Sequence, residues 1–440
     1  MAKSKTGATS LWAATAPWNE RPPLEGDRRT EVLVIGGGLT GVLCAHSLRQ
    51  AGVPCLLVEA GRLGGGVSGH TTAKVTLLHG LRYAALRRAS QELAAQYLAA
   101  QRLALAEYRR LSADTACDYA EQAAYVYALD DAGAPYREAE ALKALGEEAD
   151  FVADLPLPVR VAGAVRCGGQ ARVHPLKLLY ALAEPLQIHE RTPVTEVRGN
   201  EAVTPHGRIR ADKILFACHY PFVDSRGGFF AKQYQHRSYV LALENAPALD
   251  GMYVDQRENG LSFRAHGGLL LLGGGDHRTG WRGGGYATLR MFAAAAFPGA
   301  RERHAWATQD CMTLDGLPYI GSYSRREPNW YVATGFGKWG MSNAMAAALL
   351  LRGLVLGERP GWGEVFAPNR APRLAGLLAQ AGASALGFLT PTARRCTHMG
   401  CGLRHNPQEK SFDCPCHGSR FSESGEILDG PAAKKVKSEK

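Results

Sequence analysis

The chain has 440 residues, 46% apolar, 21% charged and 8% aromatic, enough for a large buried core divided over two or three domains. This excludes a small single module, a disordered tail or a peptide hormone. Lys plus Arg exceed Asp plus Glu by 51 − 41 = 10, yet no stretch joins basic residues to regularly spaced aromatics, so no nucleic-acid platform is expected and the charge serves solubility.

Residues 1–30, with Pro17, Pro22 and Pro23, read as an irregular lead-in without the apolar core of a signal peptide. Order begins with the apolar strand Glu31 to Ile35. Gly36-Gly37-Gly38-Leu39-Thr40-Gly41 follows, then a helical pattern to Gly52 and a second strand, Val53 to Val58, that ends in Glu59. A strand that stops abruptly so that a helix N-terminus faces a pyrophosphate needs Gly at positions 36, 38 and 41. Glu59, 23 residues after Gly36, stands where a carboxylate accepts hydrogen bonds from a ribose 2′-hydroxyl. The arrangement reads as a dinucleotide site, with FAD and NAD both compatible.

From Ala84 to Leu111 the chain is rich in Ala, Leu, Arg and Glu without Gly or Pro, which predicts one long helix or a helical hairpin. Residues 112–310 mix β-like runs (Tyr125 to Leu129, Ile214 to Ala217, Tyr239 to Leu243, Leu269 to Leu272) with turns and read as an antiparallel sheet domain. A strand Trp330 to Ala333 leads through the Gly-rich Thr334 to Gly340 into an apolar helix, Ser342 to Leu356. Neither that helix nor the run Leu374 to Leu389 supplies the roughly 20 clean apolar residues of a membrane span, so a cytoplasmic protein is expected. Pro360 and Pro368 to Pro372 mark a boundary, and the tail Pro431 to Lys437 reads as a solvated basic end.

Four of the ten cysteines fall between 396 and 416. Cys396-Thr-His398-Met-Gly-Cys401 precedes, by 12 residues, Cys414-Pro-Cys416-His417. Two Cys–His pairs on two loops suit a two-iron site with Cys396 and Cys414 on one iron and His398 and His417 on the other; structural zinc also takes two Cys and two His.

Two resemblances sharpen these readings. Gly64 to Lys74, Arg172 to Leu176, Asp315 to Gly321 and Ala333 to Met341 resemble, in order, the motifs of the D-amino-acid oxidase/glycine oxidase superfamily. The resemblance implies FAD. Its ADP half is expected on Gly36, Gly38, Leu39, Thr40, Gly41, Glu59 and Ala60, its flavin beside Ser68, Thr71 and Thr72, its adenine backed by a strand residue near Val194, and its ring met by Gly335, Gly337, Gly340 and Met341. His70 matches a position that carries a covalent flavin link in the dimethylglycine dehydrogenase branch; a covalent bond and a plain hydrogen-bonded histidine both stay open. Cys311 is read as structural.

The C-terminal loops resemble Rieske domains of the quinol-oxidising type, which implies a 2Fe-2S cluster on Cys396, His398, Cys414 and His417 and a disulfide between Cys401 and Cys416. Phe421 stands where the highest-potential members have a tyrosine, and Ser419 retains a hydroxyl. Only residues 373–395 precede the first loop, so the usual β base looks truncated: either the flavoprotein part completes it or the cluster is exposed. The whole architecture resembles bacterial FAD-dependent oxidoreductases with a C-terminal Rieske domain.

The expected fold class is α/β: a Rossmann-like FAD-binding domain, an antiparallel β substrate domain and a small Rieske-like β unit. The oxidoreductase spans 31–366, with FAD-binding parts at 31–111, 170–220 and 311–357 and substrate parts at 112–169 and 221–310; 367–395 is a linker and 396–440 the Rieske-like domain. Arg264, His277 and Lys338 are expected to contact substrate, Arg264 by gripping a carboxylate and Lys338 by stabilising a reduced flavin anion. The leading reading is a dehydrogenase that takes electrons from a small amine or amino-acid donor and relays them through the cluster to an unknown acceptor. An oxygen-using oxidase with an incidental cluster and a non-catalytic redox or iron sensor are the alternatives.

Overall fold

A computed structural model of the chain describes residues 9–17, 19–371 and 374–436. Residues 1–8 and 18 of the lead-in, 372–373 of the proline boundary and 437–440 of the basic tail lie outside the described residues.

Val32, Leu33, Val34 and Ile35 are all buried, as an apolar run covered on both faces requires, and they form the inner half of the strand Arg28–Ile35. This strand is the hub of the first sheet, pairing in parallel with Cys55–Val58 on one side and Gly207–Phe216 on the other. Glu327–Thr334 and Ile188–His189 extend the parallel array, and Tyr319–Ser324 closes one edge as an antiparallel hairpin partner. The run Ile214 to Ala217 therefore belongs to the parallel sheet and not, as its position in the middle third suggested, to the antiparallel one. Helices Leu39–Gln50 and Gly340–Val355 pack on each other over this sheet.

The second sheet has nine strands, ordered Arg301–Thr313, Gln233–Glu244, Leu269–Arg278, Ser262–His266, Gly251–Asp255, Ala120–Ala128, Gly163–Arg172, Lys74–Val75, with Asp150–Val152 off this path. It is antiparallel except at one seam, where Gly251–Asp255 runs parallel to Ala120–Ala128. The predicted helix over 84–111 is two helices, Arg82–Ala89 and Gln91–Ala113, broken at Ser90. Ser90 is extended (φ −163°), and its hydroxyl accepts the Leu93 N–H, capping the second helix.

The lead-in is not irregular throughout. Leu11–Thr15 is a short helix, and Trp12 is completely buried in the main core beside His174, His266 and Trp306. A tryptophan in a polar, proline-containing stretch carries no periodic signal, so only the tertiary fold reveals its place.

At the C-terminal end, helix Leu374–Leu389 leads to a four-stranded sheet, Arg404–Asn406, Ser411–Asp413, Arg420–Ser422 and Ile427–Asp429, around its own small core.

Candidate functional site

At the glycine turn, a Cβ on Gly41 would stand 1.8 Å from the Gly36 carbonyl oxygen, and Gly36 itself adopts φ +114°. The helix can approach the strand this closely only with glycine at both places. Gly38 is the N-cap and offers no side chain, so the N–H groups of the first turn, around Leu39, Thr40 and Gly41, need outside partners. Ser68 Oγ accepts one of them, from Leu39 at 2.8 Å. Glu59 Oε2 accepts the Gly37 N–H and Oε1 the Gly61 N–H, both at 2.7 Å, leaving each oxygen a further lone pair; Ala60 beside it is exposed. Burial pushes the Glu59 carboxyl above its usual range although these N–H groups pull it down. Val194 lies in an extended connection rather than a strand and packs on the core that includes Ile35 and Val58.

The segment 68–74 is clamped by its neighbours. Trp12 Nε1 donates to Thr71 O, Trp306 Nε1 to His70 O, and Arg264 Nη1 to the carbonyls of Thr72 and Ala73. Arg264 has 0% exposure, bonds His266 Nδ1 through Nη2 and lies over the Trp12 ring. The expectation that it grips a substrate carboxylate is corrected: its fork is engaged with backbone and holds this segment in shape. His70 Nδ1 is occupied by Gly66 O at 2.8 Å. Lys74 reaches Thr72 Oγ1 at 3.1 Å and Ser262 Oγ at 3.4 Å; burial, aided by nearby Arg264, pulls its ammonium down to about 7.

Across from this segment runs the loop Thr334 to Gly340. A Cβ on Gly335 would meet Thr313 Cγ2 at 2.3 Å, Gly337 N–H is held by Cys311 O at 3.0 Å, and Gly340 starts the helix whose Met341 carbonyl receives the Tyr108 hydroxyl. Cys311 is buried, which pushes its thiol up to about 12, in keeping with a structural role. Lys338 adopts φ +70° and ion-pairs with Asp276 at 2.5 Å.

Strand Gln233–Glu244 lies between Leu269–Arg278 and Arg301–Thr313 and alternates its side chains in the way any strand does. His236 and Ser238 face the side that holds Glu258, Asp310 and Lys338. Polar atoms buried without a protein partner gather there: His236 Nδ1, Thr308 Oγ1, Asp276 Oδ1 and Arg264 Nε. Unpartnered buried atoms of this kind, with the glycine turn, have the donor and acceptor chemistry that a flavin nucleotide needs.

Arg237 and Tyr239 face the opposite way. Both bond Glu409, which sits in the turn between the first two strands of the C-terminal sheet; Arg237 Nε and Tyr239 Oη each lie 3.1 Å from Oε2. His277 stacks near Tyr239 and bonds its hydroxyl on this side, so the expectation that His277 lines the substrate pocket is corrected as well.

The two C-terminal loops are built alike. Gly400 N–H returns to Cys396 O and Gly418 N–H to Cys414 O, with each glycine in the left-handed region, at φ +83° and +82°. Cys396 and Cys414 are buried and share a hydrogen bond that drives the Cys396 thiol down to about 6 and the Cys414 thiol up. The His398 and His417 rings meet edge-on at 5.0 Å. A disulfide joins Cys401 to Cys416. Paired sulfurs beside paired imidazoles are the donor set of a Rieske centre.

The second loop is roofed by the flavoprotein part. Gln309 Nε2 donates to Gly418 O at 2.9 Å, Arg278 Nη2 to Cys416 O at 3.2 Å, and Phe230 lies 6.1 Å from the His417 ring. A Cβ on Gly418 would stand 2.2 Å from Gln235 Cβ. The flavoprotein part thus covers this loop, while the four-stranded C-terminal sheet stays separate from the two larger sheets. Trp12, Trp306, Asp276, Asp310 and Glu409 were not picked out as site residues from sequence; Asp276 and Asp310 sit on strands separated by Gln233–Glu244, a pairing that no sequence spacing marks.

The FAD dependent oxidoreductase family matches residues 31–354, and the Rieske [2Fe-2S] domain family matches residues 387–440. The chain is 32% identical over 500 aligned positions, 99% of this chain and 98% of the other, to YhfW of Bacillus subtilis (strain 168), a protein named for a Rieske 2Fe-2S iron-sulfur centre. Its fold is similar to that of glycine oxidase from Geobacillus kaustophilus (TM-score 0.67, 21% identity, 79% of this chain and 100% of the other). It is likewise similar to L-proline dehydrogenase from P. horikoshii (TM-score 0.67, 16% identity, 78% and 98%). No helix among the described residues is long and apolar enough to cross a membrane. The chain belongs to the FAD-dependent oxidoreductase family and carries a Rieske [2Fe-2S] domain at its C-terminal end.

Proposed function

We propose that this oxidoreductase dehydrogenates a small amine or amino-acid donor in the cytoplasm and passes the electrons one by one through its Rieske domain to a separate acceptor. The observation that carries the proposal is the alternation of strand Gln233–Glu244. Ser238 and His236 face the cavity walled by Lys338, while Arg237 and Gln235 face the loops that hold Cys414 and His417. In this reading one sheet layer, on the order of 10 Å, separates the two sites. When bound, FAD takes two electrons as a hydride and the cluster takes one at a time. The residues of the chain supply the rest. The turn at Gly36 to Gly41 and Glu59 would hold the nucleotide, Ser68, Thr71 and Thr72 would flank the flavin, and Gly335 to Met341 would close on it. Cys396, Cys414, His398 and His417 would ligate the cluster. The match to a Rieske domain supports a dedicated acceptor over oxygen, since an oxidase has no use for a second redox centre behind the substrate sheet.

The test is anaerobic mixing of holoprotein with a panel of amines and amino acids, following flavin absorbance and the EPR signal of the reduced cluster. A donor that bleaches the flavin and raises the cluster signal in the same event supports the relay. Stoichiometric peroxide in air, unchanged in a His417→Ala variant, would move the reading to an oxidase.

A further inference from the structure

Lys338 faces this side of the sheet, and it is already committed. Its Nζ lies 2.5 Å from Asp276 Oδ2 and donates to Glu258 O at 2.7 Å. Asp276 has a second oxygen, Oδ1, buried without a hydrogen-bond partner, and its side chain is only 9% exposed. Beside it stands another carboxylate, Asp310, which accepts from Ser238 Oγ at 3.3 Å and makes no ion pair among the described residues. Asp310 lies deep in the protein yet keeps part of its surface open.

The charges on this wall do not cancel. His236 lies on the same face, Lys338 comes from the glycine loop, and Lys74 stands opposite, bonded to Thr72 and Ser262; Arg237 points away toward Glu409. Two carboxylates thus face Lys338 and Lys74, and burial pulls the Lys74 ammonium down to about 7, so that only Lys338 is a full counter-charge at neutral pH. A buried carboxylate without a counter-ion costs several kcal/mol unless a ligand supplies the cation. A carboxylate-bearing donor, by contrast, finds Arg264 locked on backbone and Lys338 neutralised.

We propose that Asp310, together with Asp276 Oδ1, forms an anionic subsite for the ammonium group of a cationic amine donor, and that Asp310 takes the proton this ammonium must lose before oxidation. The assignment rests on the flavin reading above. The N–H proton passes to the Asp310 carboxylate, leaving neutral amine and a carboxylic acid. FAD, when bound, would accept the C–H hydrogen with its electron pair as hydride, while the nitrogen lone pair forms C=N. The environment is tuned for such a transfer: burial, outweighing Lys338, pushes the Asp310 carboxyl up to about 6, so it is ionised at neutral pH and still basic.

The experiment uses holoprotein and its Asp310→Asn and Asp310→Glu variants, with two readouts. The first is thermal unfolding without ligand. The penalty for an ionised Asp310 is present above its raised folded pKa and absent below the unfolded value near 4. D310N should therefore melt higher than wild type at pH 8, with the advantage gone at pH 4. The second is a titration of the flavin spectrum with n-butylammonium and, separately, butyrate. Butylammonium should perturb the wild-type spectrum and butyrate should not; affinity should fall about tenfold or more in D310N, the scale of one charged hydrogen bond, and return in D310E. A lower Tm for D310N at pH 8, a response to butyrate alone, no response to either probe, or unchanged butylammonium affinity in D310N each overturns the assignment. Purified protein without flavin would instead defeat the flavin reading, leaving the melting comparison to judge Asp310 on its own.

Discussion

Glu409→Gln strips the negative charge from the joint between the flavoprotein and the Rieske unit while keeping its shape. In the native joint the carboxylate meets Arg237, Arg420 Nη2 at 3.0 Å and Tyr239 Oη at 3.1 Å, and the side chains of Arg237, Arg420 and Glu409 are 5%, 6% and 10% exposed. Without it, Arg420 keeps Asp413 at 3.1 Å and Asp429 at 2.9 Å, but among the described residues Arg237 keeps only Asp429 at 3.9 Å as an ion-pair partner. Breaking a buried pair costs about 3–5 kcal/mol, and with Asp429 still near, about 3 kcal/mol is expected. Arg237→Met is milder, about 1.5 kcal/mol, because Glu409 retains Arg420, Tyr239 and Asn406. Combining Arg237→Met with Glu409→Leu should cost less than E409Q alone, since Arg237 is no longer left as a buried charge and Arg420, which also loses Glu409, keeps Asp413 and Asp429. Burial raises the Glu409 carboxyl, yet Arg237 and Arg420 outweigh it and hold the group below its usual range. Its contribution is therefore complete above the unfolded value near 4.3 and lost as pH falls through the folded one. The assay is urea unfolding of the holoprotein followed by cluster absorbance at pH 7 and pH 3. R237M as damaging as E409Q, a loss below about 1 kcal/mol, or a gap that does not shrink at low pH would refute this account of the joint.

Two further outcomes follow from local geometry. Gly41→Ala places a methyl 1.8 Å from a backbone oxygen and should yield folded protein with little flavin, read as the FAD-to-protein ratio after purification; near-stoichiometric flavin would contradict the turn geometry. Ser419→Ala removes the hydroxyl that hydrogen-bonds the Cys396 sulfur and accepts the Ala432 N–H at 3.0 Å, so the cluster's reduction potential should fall in a redox titration with ligation intact by EPR. An unchanged potential would mean that this hydroxyl does not tune the sulfur.

The glycine turn and the Cys–His loops were legible in the sequence because close approach and ligation dictate residue types at short spacing. Gly41 admits no Cβ, and Cys396 and Cys414 have no substitute as thiolates. Arg264 and His277 were misassigned for the opposite reason. Both residue types suit catalysis, but their roles depend on which face of a strand they occupy and on partners far along the chain, Thr72 for Arg264 and Tyr239 for His277. Asp310 meets Ser238 across 72 positions and Glu409 meets Arg237 across 172, pairings set by sheet order alone. The same holds for Ile214, whose apolar run suits either sheet until its parallel neighbour Leu33 is known.

The alternation of strand Gln233–Glu244 ties two chemistries to one backbone. Because facing reverses with every residue, a one-residue insertion or slip would turn Ser238 toward the iron-sulfur loops and Arg237 toward the side of Lys338 and Asp310 at a stroke. Neither half of the enzyme can drift in length here without disabling the other, so this dozen-residue ribbon is where the two modules are obliged to evolve as one.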